Sequence, residues 1–237
     1  MTWSIIARDA ATGALGIAVA TRFFAVGARV PYIMTGVGAV ATQALVNPFY
    51  GTHGLALLRE GVPAADVVRL LTDADSGQAH RQVHVMDGSG RIAAHTGSAC
   101  IDWCGHIVDE TFSVAGNMLA GPQVVAQTAA ALRANAALPF ARRLIAALQA
   151  GEAAGGDKRG KQSAALLIHG EEEYADLDLR VDDHADPLSE LERLEAISRA
   201  HWVHFRKFMP SRRNPAGTTD RATIEAGIAA GQAAETA

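Results

Sequence analysis

The chain has 237 residues, of which 49% are hydrophobic, 19% charged and only 5% aromatic, and its net charge is −4. So apolar a chain with so little net charge folds around a core rather than staying disordered. Its apolar runs fall far short of the roughly 20 residues that a membrane span requires. Because 21 Lys and Arg stand against 25 Asp and Glu, the chain also lacks a basic footprint for a nucleic acid. We therefore expect no membrane and no nucleic-acid partner.

The first part of the chain is rich in predicted strands. Residues 2–8 and 15–21 are predicted to pair as a hairpin around a glycine-containing turn, and residues 32–43 fit two further short strands. Alternation along the first strand places Thr2, Ser4 and Ile6 on one face. The second strand is apolar at almost every position, which predicts that both of its faces are covered.

Helices and strands alternate in groups after residue 46. Helices are predicted at 48–60, 63–71, 122–134 and 139–150, each opened by a proline. Strands are predicted at 82–86, 91–96, 112–115, 163–169 and 177–182. A last long helix is predicted from Asp186-Pro187 to Phe205, with leucines on its apolar face.

This order of elements predicts the fold class. Short hairpin links make the sheets antiparallel, and each pair of helices can cover one sheet. The expected fold is α+β, a four-layer αββα sandwich of two antiparallel sheets flanked by helices. Alanine forms about a fifth of the chain, well above its usual share, which favours thin, closely packed layers. We assign residues 1–209 to one domain of this kind and expect residues 210–237 to form a weakly ordered C-terminal tail.

Thr2 is the residue with the clearest chemical potential. Met1 precedes a small residue, and Met1-Thr2-Trp3-Ser4 lacks the basic and apolar segments of a signal peptide, so we expect a cytoplasmic chain that begins with Thr2. A free N-terminal threonine carries a hydroxyl nucleophile and an α-amine with a pKa of about 7.7–8.0. The amine can take the hydroxyl proton without a separate histidine. The paired strand brings Thr21 and Arg22 to the start of the first strand.

Five motifs of the chain are similar to those of one known family. They are Thr-Trp-Ser-Ile-Ile-Ala-Arg-Asp, Gly-Ile-Ala-Val-Ala-Thr-Arg-Phe-Phe-Ala-Val-Gly-Ala, Gly-Val-Gly-Ala-Val-Ala-Thr-Gln-Ala, Gly-Asn-Met-Leu-Ala-Gly-Pro and Gly-Gly-Asp-Lys-Arg-Gly-Lys-Gln-Ser-Ala-Ala-Leu-Leu. Over residues 2–205 the chain resembles the DUF1028 family, which is grouped with the Ntn (N-terminal nucleophile) hydrolases. The resemblance implies the αββα fold and amide hydrolysis through an acyl-enzyme on the N-terminal residue.

Similarity to proteasome β-subunits, another branch of that superfamily, implies roles for individual residues. Thr2 would be the nucleophile, and Arg22 would lie near the position of their catalytic Asp. Asp157 would match the Asp that precedes their late strand, and Gly116-Asn117 would match their Gly-Ser.

One part of that arrangement has no counterpart here. The β-subunits carry a lysine beside the nucleophile, whereas the lysines of this chain are Lys158, Lys161 and Lys207. The task of lowering the pKa of the α-amine would then fall to Arg22 or Lys158.

Further residues are candidates for contacts with a substrate. Asn117 can present an amide N–H to an oxyanion, and Gln43 can supply a second donor. The polar loop at 157–163 can bind a charged substrate or orient the α-amine. Each of these residues also suits a turn, a strand end or a solvent-exposed connection. The candidates for substrate binding are Gln43, Asn47, Lys158, Gln162 and Ser163.

Cys100, Cys104 and His106 lie at a spacing close to that of metal ligands. Zinc needs a third or fourth fixed ligand, and the other histidines are scattered, so we expect small buried thiols and no metal site. Two cysteines four residues apart also fit a reducing compartment better than a disulfide-bonded one.

The sequence thus predicts an amidohydrolase that cleaves a C–N bond in a small molecule or short peptide through Thr2, without a cofactor. One alternative is a catalytically silent αββα binding or scaffold protein. Another is a chain that keeps Met1 and uses Ser4 or Cys100 for different chemistry. The thin layers and the long final helix are compatible with a homodimer.

Overall fold

The computed structural model describes residues 2–236, with side chains up to residue 234. The predicted removal of Met1 therefore lies outside the described residues. Within them the fold is mixed α+β, with two antiparallel sheets and seven α-helices. The chain divides into two compact units, one ending at Leu191 and the other starting at Glu192. Among the same residues, no helix combines the length and apolar character needed to cross a bilayer.

The ten strands are β1 (Thr2–Arg8), β2 (Leu15–Thr21), β3 (Pro31–Met34), β4 (Gly38–Ala44), β5 (Arg81–Asp87), β6 (Ile92–Thr96), β7 (Trp103–Val108), β8 (Phe112–Leu119), β9 (Ser163–His169) and β10 (Leu177–Val181). The helices are α1 (Phe49–Arg59), α2 (Ala64–Asp73), α3 (Pro122–Ala134), α4 (Phe140–Ala153), α5 (Pro187–Ala200), α6 (Trp202–Phe205) and α7 (Arg221–Thr236). The larger sheet has the order β10-β9-β2-β1-β8-β7, and the smaller one has the order β3-β4-β5-β6.

The two sheets share an apolar core. Ile6 and Ile17 of the larger sheet belong to the same buried cluster as Ala41 and Met86 of the smaller sheet. Residues of β1 that alternate with Ile6 must then face the smaller sheet as well. This confirms that Thr2, Ser4 and Ile6 lie on one face, and it places the polar pair Thr2 and Ser4 between the sheets.

Helices pack against each of the two sheets. A Cβ atom at Gly16 of β2 would lie 2.7 Å from Leu144 Cδ1 of α4, so the glycine lets the side chains of this helix pack directly on the strand backbone. On the smaller sheet, Val40 and Val83 pack with Tyr50 of α1 and Val67 of α2. β2 is buried at every position, as its apolar sequence predicts.

The structure differs from the prediction in two elements. β7 was not predicted, because this edge strand is only partly buried and lacks a clear apolar alternation. The prediction of one continuous helix to Phe205 is wrong, since α5 ends at Ala200 and His201, with φ of −146°, interrupts the helical backbone before α6.

The C-terminal segment that the sequence predicts as weakly ordered contains the helix α7. Asp220 accepts hydrogen bonds from the backbone N–H (2.9 Å) and the hydroxyl (2.6 Å) of Thr223, which caps the first turn. The alanine-rich sequence that follows has a high intrinsic helix propensity. A lack of amphipathic periodicity therefore did not mean a lack of helix.

Candidate functional site

A cavity of about 670 Å³ lies at the start of β1. Its wall includes three of the residues that the sequence singled out, Thr2, Gln43 and Asn117. Cys100, named above for an alternative chemistry, lines it too, whereas the other predicted residues do not: Ser4, Arg22, Asn47, Asp157, Lys158, Gln162 and Ser163. The cavity is therefore built around the N-terminal end of the central strand, where β1, β4 and β8 come together.

Thr2 is held on both sides by the larger sheet. It stands opposite Thr21 in the β1–β2 pairing and opposite Asn117 in the β1–β8 pairing. Its Oγ1 atom lies 3.1 Å from Thr21 Oγ1, and the residue is 7% exposed. The hydroxyl of Thr2 is consequently fixed in position at the cavity wall instead of belonging to a frayed terminus.

Two side-chain amides hold the carbonyl group of Thr2. Gln43 Nε2 and Asn117 Nδ2 each donate to this oxygen at 3.4 Å. Both also donate to Gln82 Oε1, at 2.8 and 3.0 Å. Since Gln43 Nε2 donates to the Ala115 carbonyl as well, at 3.2 Å, its protons are shared among partners inside the protein.

Gln82 is the residue that sequence reasoning missed. It is fully buried, and its Nε2 atom donates to the carbonyl oxygens of Gly116 (2.8 Å) and Gly105 (3.1 Å). The side-chain amide of Gln82 thus accepts hydrogen bonds from Gln43 and Asn117 at Oε1 and donates hydrogen bonds to β8 from Nε2. The available signal was a glutamine inside a predicted buried strand, since a polar group there needs partners.

A second polar chain lies deeper between the sheets. Ser4 Oγ donates to Gln43 Oε1 at 2.7 Å and lies 2.8 Å from His84 Nε2, while His84 Nδ1 lies 2.7 Å from Ser113 Oγ. Burial lowers the pKa of His84 to about 3, so the imidazole is neutral at physiological pH. Ser4 is fully buried, which leaves it without access to a substrate in this conformation.

Asp157 connects the polar loop to the end of β2. Its Oδ2 atom accepts the backbone N–H of Arg22 at 2.8 Å, and Oδ1 accepts the backbone N–H of Arg159 at 2.8 Å. The guanidinium of Arg159 lies 3.3 Å from Oδ2. Arg22 therefore reaches Asp157 through its backbone, while its exposed side chain donates to the Arg159 carbonyl at 3.5 Å. Of these three residues, Arg159 lines the cavity.

Three of the proposed substrate-binding residues make contacts outside the cavity. Asn47 Oδ1 accepts the N–H of Phe49 at 3.1 Å in the turn that leads into α1. Lys158 pairs with Asp102 at 3.3 Å, and Gln162 donates to Asp183 at 3.0 Å.

Ser163 acts on the cavity wall indirectly. Its hydroxyl donates to the carbonyl of Phe23 and accepts the N–H of Val26 at 3.2 Å. Phe23 and Val26 both line the cavity. Ser163 thus fixes the loop after β2 that forms part of the wall.

The backbone around the cavity is unusually strained. Within residues 2–236, the non-glycine residues with positive φ are Ala25 (54°), Ala44 (70°), Asp102 (55°) and Met118 (55°). Two of them line the cavity, and each of the other two is a neighbour in sequence of a lining residue. A left-handed conformation costs a residue with a Cβ atom roughly 1–2 kcal/mol. Such strain concentrates at functional sites, where the surrounding structure holds it in place.

The two cysteines lie at the edge of the site. Cys100 lines the cavity, and burial raises the pKa of both Cys100 and Cys104, which disfavours the reactive thiolate. His106 Nδ1 is engaged with Thr96 Oγ1 at 2.8 Å. Across the part of the chain that the structure describes, no three His, Cys, Asp or Glu side chains are grouped so that they could hold a metal ion.

The fold and this site define a mixed α+β protein whose central strand begins at a cavity that opens to solvent. The model of the family of unknown function DUF1028 matches residues 2–191, and the chain belongs to this family.

Two solved structures were compared with the chain. The crystal structure of protein SPO2555 from Silicibacter pomeroyi, also of DUF1028, aligns with a TM-score of 0.86 and 35% identity over 93% of this chain and 96% of that one. Anbu (ancestral beta-subunit) from Yersinia bercovieri aligns over 83% of this chain and 94% of that one, with a TM-score of 0.41 and 10% identity. The second similarity is too low to support a conclusion. No curated protein matches the chain.

Proposed function

We propose that this protein is an N-terminal-nucleophile hydrolase that cleaves a C–N amide bond of a small molecule or short peptide through Thr2. The observation that carries the proposal is the position of Thr2, which lines a cavity, is fixed by strand pairing on both sides and has its hydroxyl 3.1 Å from Thr21 Oγ1. A nucleophile held in one orientation loses little entropy on reaction. Removal of Met1 would give the same residue an α-amine.

The proposed reaction has two steps. Thr2 Oγ1 attacks the amide carbonyl carbon, and its proton passes to the α-amine and then to the departing nitrogen as the C–N bond breaks. Water then attacks the resulting ester, with the same amine taking a proton from the water, and Thr2 is restored as the acid product leaves.

The packing of the sheets supports assignment to the Ntn class. Two antiparallel sheets share a core, and helices α1, α2 and α4 contact their outer faces. We infer the four-layer αββα arrangement from these contacts. In this proposal the buried carboxylate of Asp157 positions Arg22 and the loop with Lys158 near the α-amine. A cytoplasmic location and a homodimer remain predictions.

The test is a turnover screen of amides, lactams and short peptides with protein whose Met1 is shown by intact mass to be absent. We expect activity that Thr2→Ala abolishes and Thr2→Ser retains in part, because serine keeps a hydroxyl at the same atom. Thr52→Ala, on the exposed side of α1, is the matched control and should leave the activity unchanged. Equal turnover by the wild type and Thr2→Ala would refute the proposal.

One observation favours the second candidate, a catalytically silent binding protein. The side-chain amides of Gln43 and Asn117 donate to partners inside the protein, so neither stands ready as an oxyanion donor. In that case ligands would bind in the cavity of Met-free protein with no turnover of any compound in the screen.

A further inference from the structure

The charges around the cavity have one sign. The charged residues of its wall are Arg29, Arg81 and Arg159, and the wall contains neither an aspartate nor a glutamate. The sequence as a whole has more acidic than basic residues, so this distribution is not a reflection of composition. A cleft lined by positive charge attracts anions.

Two of the arginines are engaged by carboxylates within the protein. Arg81 Nε lies 3.0 Å from Asp75, and its NH1 atom donates to the Leu45 carbonyl at 2.6 Å. Arg159 pairs with Asp157 at 3.3 Å. Both guanidinium groups are therefore already paired with a carboxylate of the protein, which weakens their attraction for a bound anion.

Arg29 differs from both. Its side chain is exposed and lines the cavity, and among the side chains of residues 2–234 no carboxylate lies within 4.0 Å of it. A guanidinium group in a concave site binds a carboxylate through two parallel hydrogen bonds. Arg29 is thus the cation in this wall that remains available to a ligand.

Much of the remaining wall is apolar, and three of its large apolar side chains are open to solvent. Phe23, Leu45 and Ile101 line the cavity although they are 56%, 62% and 59% exposed. Exposed large apolar side chains in the wall of a cavity mark a ligand-binding surface. A ligand that covers them must carry an apolar group as well as the charge that meets Arg29.

From these two observations we propose that the substrate of this site is an amide that carries a carboxylate, bound by Arg29, and an apolar group that packs on Phe23, Leu45 and Ile101. An N-acyl amino acid has this chemistry. The inference rests on the proposed function for the bond that is cleaved, whereas the binding of an apolar carboxylate can be measured without turnover.

The experiment measures binding to the Thr2→Ala protein by isothermal titration calorimetry. The probes are a panel of N-acyl amino acids with aliphatic or aromatic groups, each compared with its carboxamide, which has the same size and no charge. We expect at least one carboxylate to bind about tenfold more tightly than its carboxamide, the effect of one charge-assisted contact. Preference for the carboxylate in none of the pairs would overturn the proposal.

Variants of Arg29 test whether this residue binds the carboxylate. Arg29→Gln should remove the preference for the carboxylate and leave the affinity for the carboxamide unchanged, while Arg29→Lys should keep part of it. Arg59→Gln, an exposed arginine at the end of α1 that does not line the cavity, is the control and should bind like the parent. A carboxylate preference that survives Arg29→Gln would contradict the role of Arg29.

The two proposals can fail separately. If the carboxylates bind through Arg29 but Met-free wild-type protein hydrolyses none of them, the proposed hydrolase function is contradicted and the anion site stands. If the protein hydrolyses amides without regard to charge, the substrate class is wrong and the Thr2 mechanism stands.

Discussion

Thr2 and Asn117 stand opposite each other in the pairing of β1 with β8, and the Asn117 side-chain amide donates to the Thr2 carbonyl at 3.4 Å. The Asn117 side-chain amide also donates a hydrogen bond to Gln82 Oε1 at 3.0 Å. The position of Thr2 therefore depends on a residue of the other sheet that does not touch it directly.

Replacing Gln82 with methionine should destabilise the protein and reduce turnover by Thr2. Methionine has a similar volume but leaves the buried amides of Gln43 and Asn117 without their common acceptor, which should lower the free energy of unfolding by about 2–4 kcal/mol. Urea denaturation measures this change. Gln162→Met, which removes a bond near the surface to Asp183, should cost less than about 0.5 kcal/mol. Equal losses in the two variants would contradict the positioning role of Gln82.

Asp157→Ala should loosen the loop that contributes Arg159 to the cavity. The substitution removes the acceptor of two backbone N–H groups, and we expect a loss of about 2 kcal/mol in unfolding free energy and faster amide hydrogen exchange at residues 22 and 159. Lys158→Ala breaks an exposed ion pair in the same loop and should cost less than about 0.5 kcal/mol. Unchanged exchange at both positions in Asp157→Ala would show that the carboxylate does not anchor the loop.

His84 should make stability fall with acid. Burial lowers its pKa to about 3 in the folded protein from an ordinary value of 6.5, so below pH 6.5 the unfolded chain takes up a proton that the folded one does not. Stability is then lost as the pH falls, by about 2 kcal/mol between pH 7 and pH 5 from this residue. The difference between wild type and His84→Asn in urea denaturation at the two pH values measures it.

A spectroscopic measurement tests His84 even if His84→Asn fails to fold. The imidazole nitrogen resonances of His84 in the folded wild type should remain those of a neutral ring down to pH 5. Titration of these resonances near pH 6.5 would contradict the burial of a neutral histidine between Ser4 and Ser113.

Ala44→Gly should change the stability little, whereas Ala41→Gly in the same strand should destabilise the protein. Ala44 has a φ of 70°, which glycine adopts without strain, so relief of strain offsets the greater freedom of the unfolded chain. We expect a change within about 0.5 kcal/mol. Ala41→Gly, in the core between the sheets, should cost about 1–2 kcal/mol. Thermal unfolding of both variants compares them, and an equal loss at Ala44 would contradict the left-handed backbone there.

Local patterns were sufficient for most of the elements. Apolar alternation and turn residues predicted β1, β2 and β9 with their observed bounds, and Pro122 marked the start of α3. The edge strand β7 and the break at His201 were missed because neither produces a distinct local pattern. The covering of β2 on both faces followed from its composition.

The site could be predicted only where one strand defines it. The alternation of β1 placed Thr2 and Ser4 on one face, which the structure shows to be the inner one, and the hairpin brought Thr21 to Thr2. Gln82 and Arg29 were not found, because their roles arise from the packing of one sheet on the other and from the course of the loop after β2. Contacts between distant segments leave little trace in local sequence.

Mass spectrometry of the protein treated with a β-lactone tests the central claim most directly. We expect one adduct per chain, on the N-terminal peptide that begins with Thr2, with no adduct on Thr2→Ala and a retained adduct on Thr2→Ser. Retention of Met1 in protein that hydrolyses amides, or labelling of another residue such as Cys100 with the same yield in Thr2→Ala, would contradict Thr2 as the nucleophile.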